Sequence, residues 1–146
     1  MGSLTLPSAG PVYLDANVFI YSVERIEPYR SLLEPMWAAA QAKQFEIISS
    51  ELVLLETLVK PFREGDTFLE NLFRELFQAR EMRLIPMTAA LWEHAARLRS
   101  AIPSLKTPDA IHAASALSAG SALFLTNDPV FRRVSGLSVT LLSDLI

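Results

Sequence analysis

The chain has 146 residues, 51% of them hydrophobic and 20% charged, with a formal net charge of −3 and no cysteine. That length fits one domain with a real core, and the composition excludes a disulfide framework or a thiolate metal site. No apolar run approaches the ~20 residues that span a bilayer.

A protein that holds nucleic acid by bulk charge would be basic. Any such contact here rests on a local basic patch, or on metal that neutralises acids. The lack of cysteine is compatible with a reducing cytoplasm, the expected location. An apolar surplus in so short a chain points to a buried self-interface or partner surface. The opening MGSLTLPSAGP lacks the charged-then-apolar order of a secretory signal. Residues 1–10 read as a flexible leader to a single domain over 1–146, and Met1, Gly2 and Ser3 fit an added start.

In chain order, residues 11–14 (PVYL) form a strand that ends in Asp15-Ala16-Asn17. A helix follows over 18–23, capped by Asp15 or Asn17. The next helix runs from 29 to 42, with Leu33, Met36, Trp37 and Ala40 at i, i+3, i+4 and i+7. Pro35 predicts that it starts late or bends. Residues 45–48 suit a second strand. Ser49 or Ser50 then caps a helix to about 59, which Pro61 ends, and 60–66 is a polar connection. Asp66 or Thr67 opens a helix through 79, with Leu69, Leu72, Phe73 and Leu76 on one stripe. A third strand covers 83–86. Thr88 caps a helix whose Leu91, Ala95, Leu98 and Ile102 point one way, and Pro103 closes it.

Residues 107–129, TPDAIHAASALSAGSALFLTNDP, read as helix, turn, buried strand and the start of another helix. Thr107 caps, Pro108 suits the first turn and Asp109 follows. Ala110, Ala113, Ala114 and Leu117 make an apolar stripe, and Gly120 closes the helix. Residues 122–125 suit a strand buried on both faces, and Asp128 comes directly after it. A last strand covers 137–141, with Asp144 in a terminal turn. Strands alternating with helices call for an α/β fold with a parallel sheet covered on both faces. Ligands in such sheets bind beyond the carboxyl ends of the strands.

Four acids fall near that edge. Asp15 follows the first strand, Asp128 the fourth, Asp109 opens a helix, and Glu56 lies at the margin of an apolar helix. Each has a structural role available: Asp15 and Asp128 as caps, Asp109 as a partner of the helix dipole, Glu56 as an exposed helix-edge residue. Together, like charges at one edge repel, and partial burial worsens this. They require protons, bases or a cation. With no His or Cys cluster, all-oxygen ligands favour Mg²⁺ or Mn²⁺. Such an ion activates water and stabilises charge on a phosphate, the chemistry of phosphodiester hydrolysis. Four acids do not settle whether one ion binds or two.

LDANVFIY, SSELVLLE, TPDAIHAASAL and LFLTNDPVF, in that order, resemble the PIN domain, in particular the small VapC-like toxins of toxin–antitoxin pairs. The resemblance covers nearly the whole chain. It implies a three-layer α/β/α sandwich and Mg²⁺- or Mn²⁺-dependent cleavage of RNA. It carries the acidic quartet onto Asp15, Glu56, Asp109 and Asp128, with Asp15, Asp109 and Asp128 as the metal ligands. Asn17 and Thr126 fall on supporting polar positions. Glu51 is also near, but its place in a first helical turn reads as capping. The resemblance further implies an antitoxin that covers or fills the site, and a homodimer.

Other readings are a PIN-fold RNA-processing nuclease outside toxin systems, a non-catalytic PIN-fold binding module, and a signalling receiver domain. Receivers resemble a pattern with two adjacent acids after the first strand and a lysine after the last, and neither is present.

His112, three residues after Asp109, shares its helix face and reads as packed or hydrogen-bonded rather than catalytic, because metal-activated water needs no His base. His94 reads as a surface residue. Thr126 and Asn127 suit orienting carboxylates or forming a turn. Arg25, Lys60, Arg63, Lys106, Arg132 and Arg133 flank the acids. Arg132 and Arg133, then Lys106, are the first candidates to grip an RNA backbone. Trp37, Trp92 and the Phe residues read as packing groups.

Overall fold

A strand with parallel neighbours on both sides buries both faces, and Val12, Tyr13 and Leu14 are all fully buried. They form β1 (Val12–Leu14), the centre of the sheet. The computed structural model describes residues 2–146. The other strands are β2 (Ile47–Ser50), β3 (Met82–Ile85), β4 (Leu123–Thr126) and β5 (Val139–Leu141). All pairings are parallel, in the order β3-β2-β1-β4-β5. The chain steps from β1 outward through β2 and β3, then returns to the other side of β1 for β4 and β5. The order therefore reverses between β1 and β4, which opens a crevice at their carboxyl ends. A receiver-type sheet runs 2-1-3-4-5, so the strand order departs from that reading.

Among the described residues, six helices cover the sheet: α1 (Ala16–Val23), α2 (Tyr29–Gln41), α3 (Leu52–Glu64), α4 (Thr67–Phe77), α5 (Ala89–Ala101) and α6 (Thr107–Ser118). Alternate strand residues point to opposite faces, and the core divides accordingly. Val12, Leu14, Ile47 and Leu125 pack with Phe19, Met36, Val53 and Phe73 of α1 to α4. Tyr13, Ile48 and Phe124 pack with Leu91 and Ala95 of α5 and the alanines of α6. The result is the expected three-layer α/β/α fold. Helix α6 buries every residue from Ala110 to Ala116 rather than a single stripe, because α5 covers it on one side and the sheet on the other. At the amino end, Gly2 N–H donates to the Leu145 carbonyl at 2.8 Å and Leu4 and Leu6 pack against the core.

Several boundaries differ from expectation. Helix α2 starts at Tyr29 and runs through Pro35. Helix α3 runs through Pro61 to Glu64, so 60–64 is helix rather than a polar connection. One proline removes one hydrogen bond, but Pro61 is buried with Val53, Thr57 and Leu58 on the inner face, and that packing carries the helix on. The stop is Gly65, at φ 64°, where Asp66 N–H returns to the Pro61 carbonyl at 2.9 Å. Asp66 then caps α4, accepting from Leu69 N–H at 2.9 Å. Strands β2 and β4 sit one or two residues later than predicted, which brings Ser50 and Thr126 into the sheet.

At Gly65 an added methyl would meet nothing within 4 Å. Gly65→Ala therefore tests backbone conformation alone. It should destabilise the fold by about 1 kcal/mol, read as a lower urea midpoint with an unchanged slope; an unchanged midpoint would remove Gly65 as the stop of α3.

Candidate functional site

Asp15 leaves β1 directly into α1 and caps it, with backbone in the extended region. Its Oδ1 accepts from Ala16 N–H at 2.8 Å and its Oδ2 from the Thr126 hydroxyl at 2.8 Å. The carboxylate sits at the crevice between β1 and β4, and the residue is only 8% exposed. Thr126 ends β4, fully buried, and its Oγ1 also accepts from Asp128 N–H at 3.0 Å. One hydroxyl thus ties the two acidic turns together. Asp128 caps the short 3-10 turn Pro129–Arg133, accepting from Val130 N–H at 3.0 Å.

Asp109 lies half-buried in the first turn of α6. Burial pushes its carboxyl above the ordinary range, and the charges of Asp128 and Asp15 push it further; the Lys106 backbone amide acts the other way. A helix start ordinarily favours a carboxylate; here burial, with the charges of Asp128 and Asp15 added to it, outweighs that preference. Thr107 is not the cap. The helix begins at Thr107, Lys106 takes the cap position without a side-chain bond, and the Thr107 hydroxyl accepts from the Arg99 guanidinium at 3.0 Å. Arg99 also donates to the Leu105 carbonyl at 3.1 Å, so α5 fixes the turn that presents Asp109.

Glu56 reaches the site from α3. Its Oε1 lies 2.6 Å from Nε2 of His112, and that nitrogen is 3.8 Å from Oδ1 of Asp15. The other ring nitrogen, Nδ1, lies 2.7 Å from the Tyr13 hydroxyl. Tyr13 is fully buried, stacked on Phe124 at 5.1 Å between ring centres, and accepts from Ser50 N–H at 3.0 Å. Burial pushes its phenol well above the ordinary range, although the neighbouring Ser49, Ser50 and Ser115 groups favour the charged form. His112 is thus hydrogen-bonded, as its position suggested, but its partners were missed. The signal available was a buried tyrosine two residues before Asp15, whose hydroxyl requires a partner.

The remaining candidates spread around this centre. Asn17 is exposed on α1. Asn127 is a structural link: it donates to the Tyr21 hydroxyl at 3.1 Å and accepts from Ser143 N–H at 2.8 Å. Glu51 makes no capping bond; the Ser50 hydroxyl accepts from Leu52 N–H instead, at 3.1 Å. Arg132 pairs with Asp144, Arg133 donates to the Ser104 hydroxyl at 2.9 Å, and Lys106 is exposed beside the Asp109 turn.

Among the described residues, no three His, Cys, Asp or Glu side chains come together as a group that could hold a metal ion. The acids nearest Asp109 are Asp128 and Asp15, whose mutual repulsion an added positive charge would relieve. Mg²⁺ commonly takes one or two carboxylates and keeps several waters, so an open oxygen set suits it better than Zn²⁺, which prefers closed nitrogen and sulfur ligation. The donor chemistry fits a hard divalent ion.

The family model of the PIN domain matches residues 12–137. The chain belongs to the PIN domain family. No curated protein matches it. Among solved structures, this PIN domain is similar to VapBC2 from Rickettsia felis bound to a promoter DNA fragment, with a TM-score of 0.71, 18% identity, and coverage of 90% of this chain and 98% of that one. It is also similar to a toxin–antitoxin complex from Klebsiella pneumoniae, with a TM-score of 0.64, 20% identity, and coverage of 88% and 95%. VapBC-5 from Mycobacterium tuberculosis follows at 0.55 and 23% identity, covering 92% and 98%. At these identities the likeness concerns the fold.

The raised carboxyl of Asp109 has a signed consequence. A group whose folded value is raised weakens the fold above that value, and the penalty vanishes once the group is protonated in both states. In metal-free buffer, Asp109→Asn should raise the melting temperature by a few degrees at pH 7 and give no gain below about pH 4. Equal melting temperatures at pH 7 would contradict the crowding of these charges.

Proposed function

We propose that this PIN domain is a metal-dependent endoribonuclease and the toxin of a toxin–antitoxin pair. The observation that carries the nuclease reading is the pair Asp15 and Asp128, tied by one Thr126 hydroxyl at the β1/β4 crevice, with Asp109 near enough to feel both charges. The toxin–antitoxin neighbours, covered over nearly their whole length, support the toxin reading and an antitoxin partner. The family resemblance adds a homodimer. No helix is long and apolar enough to cross a membrane among the described residues.

Asp15, Asp109 and Asp128 are the residues proposed to hold Mg²⁺ or Mn²⁺. When bound there, such an ion lowers the pKa of water and offsets charge building on a phosphodiester. The protein's own part is orientation and proton handling. Thr126 fixes one oxygen of Asp15 and the backbone of Asp128, so the two carboxylates share one reference point. Glu56, at the pocket margin with 24% of its side chain exposed, is placed to accept a proton from an attacking water. Lys106, exposed beside Asp109, is the free cation best placed for a backbone phosphate. Arg132 and Arg133 already have partners, so their share of RNA binding comes at the cost of those contacts.

The test is cleavage of a cellular RNA pool with Mn²⁺ present. Asp15→Asn should reduce cleavage to the metal-free background with the fold intact. Thr126→Val should lower the rate about 10- to 100-fold, as loss of a residue that orients a metal ligand does. Full cleavage by a folded Asp15→Asn protein would overturn the proposal.

A further inference from the structure

We propose that His112 is a positioning residue that holds the Glu56 carboxylate at the mouth of the acidic crevice, through a hydrogen-bond chain running from Ser50 N–H by way of Tyr13. The inference rests on the nuclease reading for the importance of Glu56, but the chain itself stands on geometry.

The polarity of the chain follows from donor and acceptor chemistry. Ser50 N–H is a donor only, so the Tyr13 oxygen accepts it, at 3.0 Å. The Tyr13 hydroxyl then has one proton to give. His112 Nδ1 lies 2.7 Å away and takes it. Ser115 Oγ also lies beside the Tyr13 hydroxyl but is not within hydrogen-bond geometry of it, which leaves His112 Nδ1 as the acceptor in contact with that proton. With Nδ1 accepting, the neutral ring carries its proton on Nε2. An ionised carboxylate only accepts, and Glu56 Oε1 lies 2.6 Å from Nε2. The bond is N–H to carboxylate, the stronger charge-assisted kind.

The imidazole cannot turn away. It is 1% exposed, and the Tyr13 ring meets it edge-on at 5.7 Å. Glu56 by contrast sits on α3 with one side open to solvent, and a glutamate at a helix edge has several rotamers of similar energy. The buried ring selects one of them. It also leaves the second Glu56 oxygen available to the crevice. The same Nε2 stands 3.8 Å from Asp15, too far for a hydrogen bond, so it serves Glu56 and not the first acid.

The experiment uses the full chain and three variants. Glutamine places its amide N–H near the position of Nε2, whereas asparagine reaches only that of Nδ1. His112→Asn should lower kcat about 10- to 100-fold with KM for RNA unchanged, and His112→Gln should recover most of the loss. Nitrogen-15 NMR of the wild type should show His112 as the neutral Nε2–H tautomer, with the Nε2 resonance shifting in Glu56→Gln. Tyr13→Phe, which removes the donor to Nδ1, should lower kcat in the same direction and serves if His112→Asn does not fold. Wild-type kcat in folded His112→Asn, or in folded Tyr13→Phe when His112→Asn does not fold, would overturn the proposal. So would an Nδ1–H tautomer. If the wild type cleaves no RNA, the nuclease reading fails, and the NMR signature alone decides whether His112 holds Glu56.

Discussion

Negative charge gathered at the crevice between β1 and β4 is the constraint around which this PIN domain is built. Asp15 is almost wholly out of water, and Asp109 is half-buried with two acidic neighbours that oppose its ionisation. A fold selected for stability alone would place apolar or neutral groups there. The surrounding structure instead spends its polar groups on holding those acids in place. Thr126 bridges the turns of Asp15 and Asp128, Arg99 anchors the turn that starts α6, and His112 meets Glu56.

The sheet explains why these residues meet. Asp15 and Asp128 follow adjacent strands at the point where the strand order reverses, so their proximity is a property of topology. Asp109 and Glu56 come from helices on opposite faces of the sheet: Asp109 faces the charges of Asp128 and Asp15, and Glu56 meets His112. Tyr13 belongs to the core as much as to the site. Its ring stacks on Phe124 within one apolar layer, while its hydroxyl links β2 to the buried imidazole. A rigid interior therefore extends to the crevice without a flexible loop between them.

Much of this was legible in the sequence. Alternating apolar strands and periodic helices specify the parallel α/β sandwich, and an acid after each of two strands specifies a shared edge. Asp66 and Thr88 are caps as their positions predict. The misreadings have physical causes. Pro61 breaks a local rule that burial outweighs. Thr107 has capping chemistry but sits one place past the cap position, and Glu51 holds the cap position of α3 in a helical backbone conformation without a side-chain bond; no local signal separates those outcomes. The Tyr13–His112–Glu56 chain joins residues 99 and 56 positions apart, so it depends on tertiary placement that no spacing encodes. The basic residues near Asp128 looked free in sequence, yet Asp144 and Ser104 occupy them in the fold.

Under the proposed function, the carboxylates of Asp15, Asp109 and Asp128 tolerate one another because a divalent cation binds among them. Anomalous diffraction from crystals soaked in Mn²⁺ near neutral pH tests this most directly. The expected result is a manganese peak bounded by those three side chains, with water completing its coordination. A peak elsewhere on the protein, or none at saturating Mn²⁺ with the crevice intact, would contradict it.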